Sequence, residues 1–315
     1  MKTGVFLHPI FGKHDTGPGH PESLQRYNLI SAELEESDFF NRGVIKLEPE
    51  KASKGIVLST HSKELFRKIE TAVRNGFGFL DSDTVVSMHS LDAALYAAGA
   101  AINAVDAVIT GEIDRAFVAA RPPGHHATRE RSMGFCLFNN AAIAANYARQ
   151  KYKEIERIAI IDWDVHHGNG TQGIFYEERD VFFFSIHQYP WYPGTGARGE
   201  TGSGKGLGTT LNVPLKAFTP AAIHRSAFEA AISEIAGKIK PDLIIISAGF
   251  DAHISDPLGQ LQLEDLDFQM FTKVVLQWAE EVCIGRVISF LEGGYNLETL
   301  PKTVKSHIKA LAGSE

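Results

Sequence analysis

Residues 158–172 read IAIIDWDVHHGNGTQ. An uninterrupted Ile and Ala run suits a strand covered on both faces, and the Asp, His and Gly that follow at once are what such a strand hands to the loop at its carboxyl end. The same alternation recurs in both directions along the chain. Short β-rich runs appear as GVFLH near the start, RAFVAA at 115–120, VFFFSIH at 181–187, TLNVPL at 210–215, LIIISAGF at 243–250 and VISFLEGG at 287–294. Between them lie Ala-rich stretches of helical period at 90–109, 140–150 and 220–239, which predict helices packed on a sheet. The pattern predicts an α/β fold with a mainly parallel sheet. No repeat of fixed period and no compositional break divides it, so a single domain over 1–315 is expected.

Hydrophobic residues make up 44% of the 315 and charged residues 22%, ordinary values for a chain that folds on its own. A net charge of −7 disfavours nucleic acid as a partner, because neutralising phosphate needs a basic face, and is compatible with a cationic substrate. The N-terminal apolar run is broken by His8 and Pro9 before it reaches the length of a signal sequence, and no other stretch is read as a membrane span of roughly 20 apolar residues. A cytoplasmic protein without membrane contact is therefore expected. Two cysteines, Cys136 and Cys283, are too few for a disulfide framework or a thiolate zinc site and predict small buried hydrophobes.

Four strand ends deliver polar groups to what should be one edge of the sheet: RPPGHHA after 115–120, DVHHGNG after 158–162, DAHISDP after 243–250 and GGYN after 287–292. Asp162, Asp164 and His166 are spaced by two, so on an extended strand end they project to one side. With Asp251 they could supply three ligands to a divalent ion and leave positions open for water and substrate. An isolated Asp-x-His is a common surface feature; convergence with three other strand ends is not. His125 and His126 follow the stiff turn Pro122–Pro123–Gly124, and paired imidazoles held in place suit proton transfer near neutral pH. Tyr295, after two glycines, can offer a phenolic donor to an oxyanion. The glycine-rich stretch 193–208 precedes a strand, unlike a phosphate cradle, and predicts a rim loop.

The motifs RPPGHHA, GFCLFNN at 134–140, DWDVHHGNGTQ at 162–172, SIHQYP at 185–190, PGTG at 193–196, SAGFDAH at 247–253 and LEGGYN at 291–296, in that order, closely resemble the zinc-dependent histone deacetylase family. The resemblance runs from about His8 to Tyr295. It is closest to the class II branch and its bacterial amidohydrolase relatives, because Asn169 and Glu292 stand where class I members usually carry Asp and Gly. It implies an arginase-like domain with an eight-stranded parallel sheet, and one zinc ion on Asp164, His166 and Asp251. It further implies His126 as general base and acid, His125 as its electrostatic partner, Asp162 as the carboxylate orienting His125, and Tyr295 as transition-state donor. Phe135 and Tyr192 match the aromatic walls of an acyl-lysine tunnel, and Leu258 matches its rim. A structural potassium site is implied at the main chains of Asp162, Asp164 and His166 with Ser185.

The implied reaction is hydrolysis of acylated lysine side chains; the alternatives are an acylpolyamine or other small-amide deacylase, an inactive reader of acylated ligands, and an arginase-like binuclear hydrolase. Two carboxylates and one imidazole could also hold ferrous iron or cobalt. Apolar Leu258, where polyamine-selective relatives carry Glu, favours lysine substrates. The overall acidity opposes it, as would a carboxylate such as Asp83 if it reached the rim from another loop.

Overall fold

The Ile-rich run at 158–162 has every residue buried, which requires strands on both sides and helices above and below. The computed structural model describes residues 1–35, 38–40 and 43–313. In chain order its elements are β1 (Thr3–Phe6), α1 (Leu24–Glu35), β2 (Val44–Leu47), α2 (Lys54–Leu58), α3 (Lys63–Arg74), β3 (Gly78–Phe79), β4 (Val85–Val86), α4 (Ser90–Ile109), β5 (Arg115–Val118) and α5 (Asn140–Lys151). There follow β6 (Ile158–Asp162), α6 (Asn169–Phe175), β7 (Val181–Gln188), β8 (Thr210–Leu215), α7 (Ala221–Ala236), β9 (Leu243–Ala248), α8 (Asp265–Cys283), β10 (Val287–Leu291) and α9 (Leu300–Leu311).

Among the described residues the main sheet has eight strands in the order β2-β1-β5-β10-β9-β6-β7-β8, all parallel. This is the expected architecture. The order also explains why four separate motifs meet, since β5, β10, β9 and β6 lie side by side in its centre and, being parallel, end on the same edge. Register sharpens the point: Asp162 pairs with Ser247 on one side and Ser185 on the other.

Helices cover the sheet: α4 packs on β5 and β10 and against α5, which meets β9, while α8 packs on β9 between α9, which meets β5, and α7, which meets β8. Local chemistry starts them: Asn139 accepts from the Ala142 amide at the head of α5, Ser62 does the same for Leu65 at the head of α3, and Glu264 with Asp267 forms a reciprocal capping box on α8. The stretch expected to be helical to 239 stops at Ala236, with Gly237 as its cap. Among the described residues α4 alone would pass for a membrane span by length and hydropathy, contrary to the expectation that no further stretch would. However, 72% of its apolar window is buried inside the protein. Its small residues let neighbouring backbone come close, and at Gly99 an added Cβ would collide with the Glu50 carbonyl.

Candidate active site

The strand β6 ends at Asp162, and the chain bends over residues 164–166. The extended geometry expected for Asp162, Asp164 and His166 therefore does not hold, and the Asp162 carboxylate is taken up by the Asp164 amide (3.1 Å) and His125 (3.0 Å). What converges instead is Asp164, His166 and Asp251. His166 Nδ1 lies 3.1 Å from Asp164 Oδ1 and 3.1 Å from Asp251 Oδ2, and all three residues are buried. Both carboxylates are aimed by main-chain N–H groups. Asp164 accepts from His166 N (2.9 Å) and Gly293 N (2.8 Å), and Asp251 Oδ1 accepts from Val165 N (2.8 Å). Gly293 is required there, since a Cβ would run into both carboxylates.

This donor set fits a divalent ion. Ligand bonds of about 2.0–2.2 Å in a tetrahedral site place neighbouring donor atoms roughly 3.3 Å apart, close to the spacing observed. No Lys or Arg side chain bonds to either carboxylate among the described residues; His125 Nε2 stands 3.8 Å from Asp164, and burial with the Asp164 charge pushes Asp251 up to about 7. Burial alone would lower His166, yet hydrogen bonds and charge from Asp164 and Asp251 raise it to about 10, a measure of how strongly this point attracts positive charge. A second group of ligand types, His125, Cys136 and Glu292, also clusters. There, however, the His125 Nδ1 and both Glu292 oxygens already hold hydrogen bonds.

The two imidazoles after the proline turn lie with centroids 4.0 Å apart and planes tilted by 40°, each held by its Nδ1. His125 pairs with Asp162 Oδ2 at 3.0 Å and His126 with Asn169 Oδ1 at 2.7 Å. The environments push them in opposite directions. Burial, then the charges of His125 and His166, holds His126 well below the usual histidine range, whereas the burial penalty on His125 is outweighed by Asp164 and Asp162, which raise it well above. A neutral imidazole beside an imidazolium divides base and electrostatic roles between neighbours. Because Asn169 Oδ1 can only accept, the His126 proton sits on Nδ1 and its Nε2 lone pair is free. Burial also raises the Tyr295 phenol well above its ordinary value, so it stays a donor.

Of these groups His126, His166 and Tyr295 line a cavity of about 240 Å³, together with Phe135, Tyr192, Trp191, Leu258 and Asp83. The Phe135 ring meets Tyr295 edge-on at 5.8 Å, and Tyr192 stands perpendicular to His126 at 5.1 Å. Phe135 adopts a left-handed backbone (φ 67°), a costly conformation for an aromatic residue and one concentrated at functional sites. Its amide donates to Thr84 Oγ1 at 3.1 Å. Ser185, in register with Asp162, hydrogen-bonds His187.

Comparison with known proteins agrees with this geometry. The Histone deacetylase domain model matches residues 20–311. The chain belongs to the histone deacetylase family. The "Probable deacetylase" of Archaeoglobus fulgidus is 41% identical to this deacetylase over 99% of the chain and 87% of its own length. The "Histone deacetylase-like amidohydrolase" of Pseudomonas aeruginosa is 35% identical over 94% and 77%, and "Histone deacetylase 10, chloroplastic" of Oryza sativa subsp. japonica 40% over 93% and 70%. The crystal structure of the HDA15 HD domain superposes with a TM-score of 0.93 at 34% identity, covering 100% of this chain and 90% of that one. This deacetylase is thus a hydrolase acting on amides.

Several residues that shape the deacetylase site carried no signal in the sequence. Arg26, fully buried, donates to the carbonyls of Gly294 (2.6 Å) and Glu292 (2.5 Å) and lies 5.0 Å from the Tyr295 ring centroid. Glu22 bridges Arg26 and Arg121, both fully buried. Asp256 accepts from the Tyr295 amide at 2.6 Å and the Leu258 amide at 2.9 Å, so one carboxylate positions both floor and rim. Trp191 reaches the rim through Nε1, which donates to the Leu258 carbonyl.

Proposed function

We propose that this deacetylase uses zinc to hydrolyse the acyl amide of acylated lysine side chains. One observation carries the reading: a three-donor metal seat, a neutral and a charged imidazole, and a protonated phenol meet at the floor of a narrow, largely apolar cavity. Asp164, His166 and Asp251 are the residues that would hold the ion, which when bound supplies Lewis acidity and a lowered water pKa.

The protein's own groups do the rest. Phe135 and Tyr192 flank a neutral alkyl chain and exclude bulk water from the floor. Tyr295 donates its hydroxyl hydrogen to the acyl oxygen as negative charge develops there. His126 Nε2 accepts a proton from the attacking water and returns it to the leaving amine, giving a free lysine and a carboxylic acid. His125, kept as imidazolium by Asp162, adds positive charge beside that transfer. A structural potassium ion beside Asp162 and Ser185 belongs to the same reading by resemblance.

A second reading, deacylation of acylated polyamines, is favoured by Asp83, which lines the cavity together with the rim residues Leu258 and Trp191 and could pair with a distal ammonium. Leu258, apolar at that rim, favours lysine instead. The test compares kcat/KM for an acetyl-lysine peptide with acetylspermidine and acetylputrescine. Preference for the peptide supports the proposal, and preference for the polyamines replaces it with the second reading.

A further inference from the structure

Glu292 lies at the end of β10, with no exposed surface, and an unpaired carboxylate there would be costly. Its side chain is satisfied without a cationic side chain. Oε2 accepts from Gly124 N (2.7 Å) and His125 N (3.1 Å), and Oε1 accepts from Ser247 Oγ (3.1 Å). Arg26 reaches the Glu292 main-chain carbonyl, not its carboxylate.

The turn this carboxylate grips has few handles. Pro122 and Pro123 have no N–H, so Gly124 and His125 carry the first two amides available after Arg121, and both go to the same oxygen of Glu292. The His125 and His126 rings are each held at Nδ1 by a single side chain; beneath them Glu292 holds the Gly124 and His125 amides, while Thr171 N donates to the His125 carbonyl (3.1 Å) and Asn140 Nδ2 to the Pro122 carbonyl (3.3 Å). Three residues after Glu292 comes Tyr295, on the loop whose carbonyls Arg26 holds. One residue therefore joins the loop of the two imidazoles to the loop of the phenol.

We propose that Glu292 is a positioning residue that sets the His125–His126 pair in register with Tyr295, acting through its two amide hydrogen bonds. This rests on the deacylase reading for its kinetic consequence but not for its structural one. A rival view of Glu292 as a metal ligand with His125 and Cys136 conflicts with oxygens already engaged by amides and a hydroxyl.

Four proteins test it: wild type, Glu292→Gln, Glu292→Asp and Glu292→Ala. A carboxamide oxygen can still accept from both amides while its NH2 faces the Ser247 hydroxyl, so Glu292→Gln should keep kcat within about threefold. Alanine removes the clamp and aspartate, one methylene shorter, cannot reach it. Each should lower kcat by about 10- to 100-fold, the scale of a small misplacement of reacting groups, with KM and bound metal per chain unchanged. Hydrogen exchange over residues 121–127, read by mass spectrometry, tests the clamp independently of activity. It should be at least tenfold faster in Glu292→Ala than in wild type and Glu292→Gln; if the alanine protein does not fold, Glu292→Asp serves for both readouts. Unchanged exchange, wild-type kcat in the aspartate variant, a loss that tracks lost metal, or Gln as damaging as Ala would each overturn the proposal. A wild type inactive on every acylated amine, with exchange responding as expected, would sink the deacylase reading and leave the clamp standing.

Discussion

Replacing Tyr295 by Phe removes one oxygen from a packed ring. The ring keeps its edge contact with Phe135 and its place beside Arg26, and its main-chain N–H keeps Asp256. The hydroxyl makes no hydrogen bond to any described residue, so folding loses little, and Tm should stay within about 2 °C. The loss falls on the reaction. An oxyanion donor is worth about 10²–10³ in kcat, or roughly 2.7–4 kcal/mol of transition-state stabilisation, and burial keeps this phenol protonated. Because the donor acts on charge that develops in the transition state, kcat and kcat/KM should fall together with KM nearly constant. The assay is steady-state release of free amine from an acetyl-lysine peptide, with bound metal measured on the same samples. A Tyr295→Phe protein that keeps more than about a third of wild-type kcat, or loses activity only through KM or metal, would refute the role given to this hydroxyl.

His126→Ala should lower kcat by about 10²–10⁴ with metal content unchanged, the range for a positioned general base; metal analysis beside kinetics checks it. Glu22→Gln should destabilise the fold by about 3–5 kcal/mol at pH 7, the cost of breaking a fully buried ion pair, read by urea unfolding. Burial opposes its ionisation, but Arg121 and Arg26 hold its pKa below the ordinary value. Its contribution is therefore present above about pH 4.3, the ordinary glutamate value, and is lost as pH falls through the lower folded value, so the gap between wild type and variant should close at acid pH. Leu258→Glu should move the kcat/KM ratio toward acetylspermidine by about tenfold, with Asp83→Asn moving it the other way; no response to either would remove rim charge from the account of specificity.

The parts of this molecule that were legible in its sequence are those that depend on neighbours along the chain. The runs at 158–162, 181–187 and 243–248 are apolar on both faces and could be little else than central strands, and the motifs after β5, β6, β9 and β10 place every metal and proton-transfer candidate at one edge. Short elements escaped. The strand β2 is four residues at the sheet edge with one residue exposed, and β3 and β4 are two residues each; none has enough period to read. Asp162 shows why spacing alone misleads. It shares the i, i+2 pattern with Asp164 and His166, but the strand stops there, and the bend sends it to His125. The buried charges Glu22, Arg26, Arg121 and Asp256 were out of reach for a different reason. Whether a charged residue is buried depends on what distant segments bring to it, and Arg26 meets Gly294 from 268 positions away.

The central claim is that Asp164, His166 and Asp251 seat one catalytic divalent ion, and titration of metal against activity tests it most directly. Protein stripped by a chelator should be inactive and regain activity in proportion to zinc added, with a break at one ion per chain. Asp164→Ala, His166→Ala and Asp251→Ala proteins should each fail to bind the ion and to recover. Full turnover by metal-free protein, or an undiminished one-to-one zinc stoichiometry in all three variants, would contradict it.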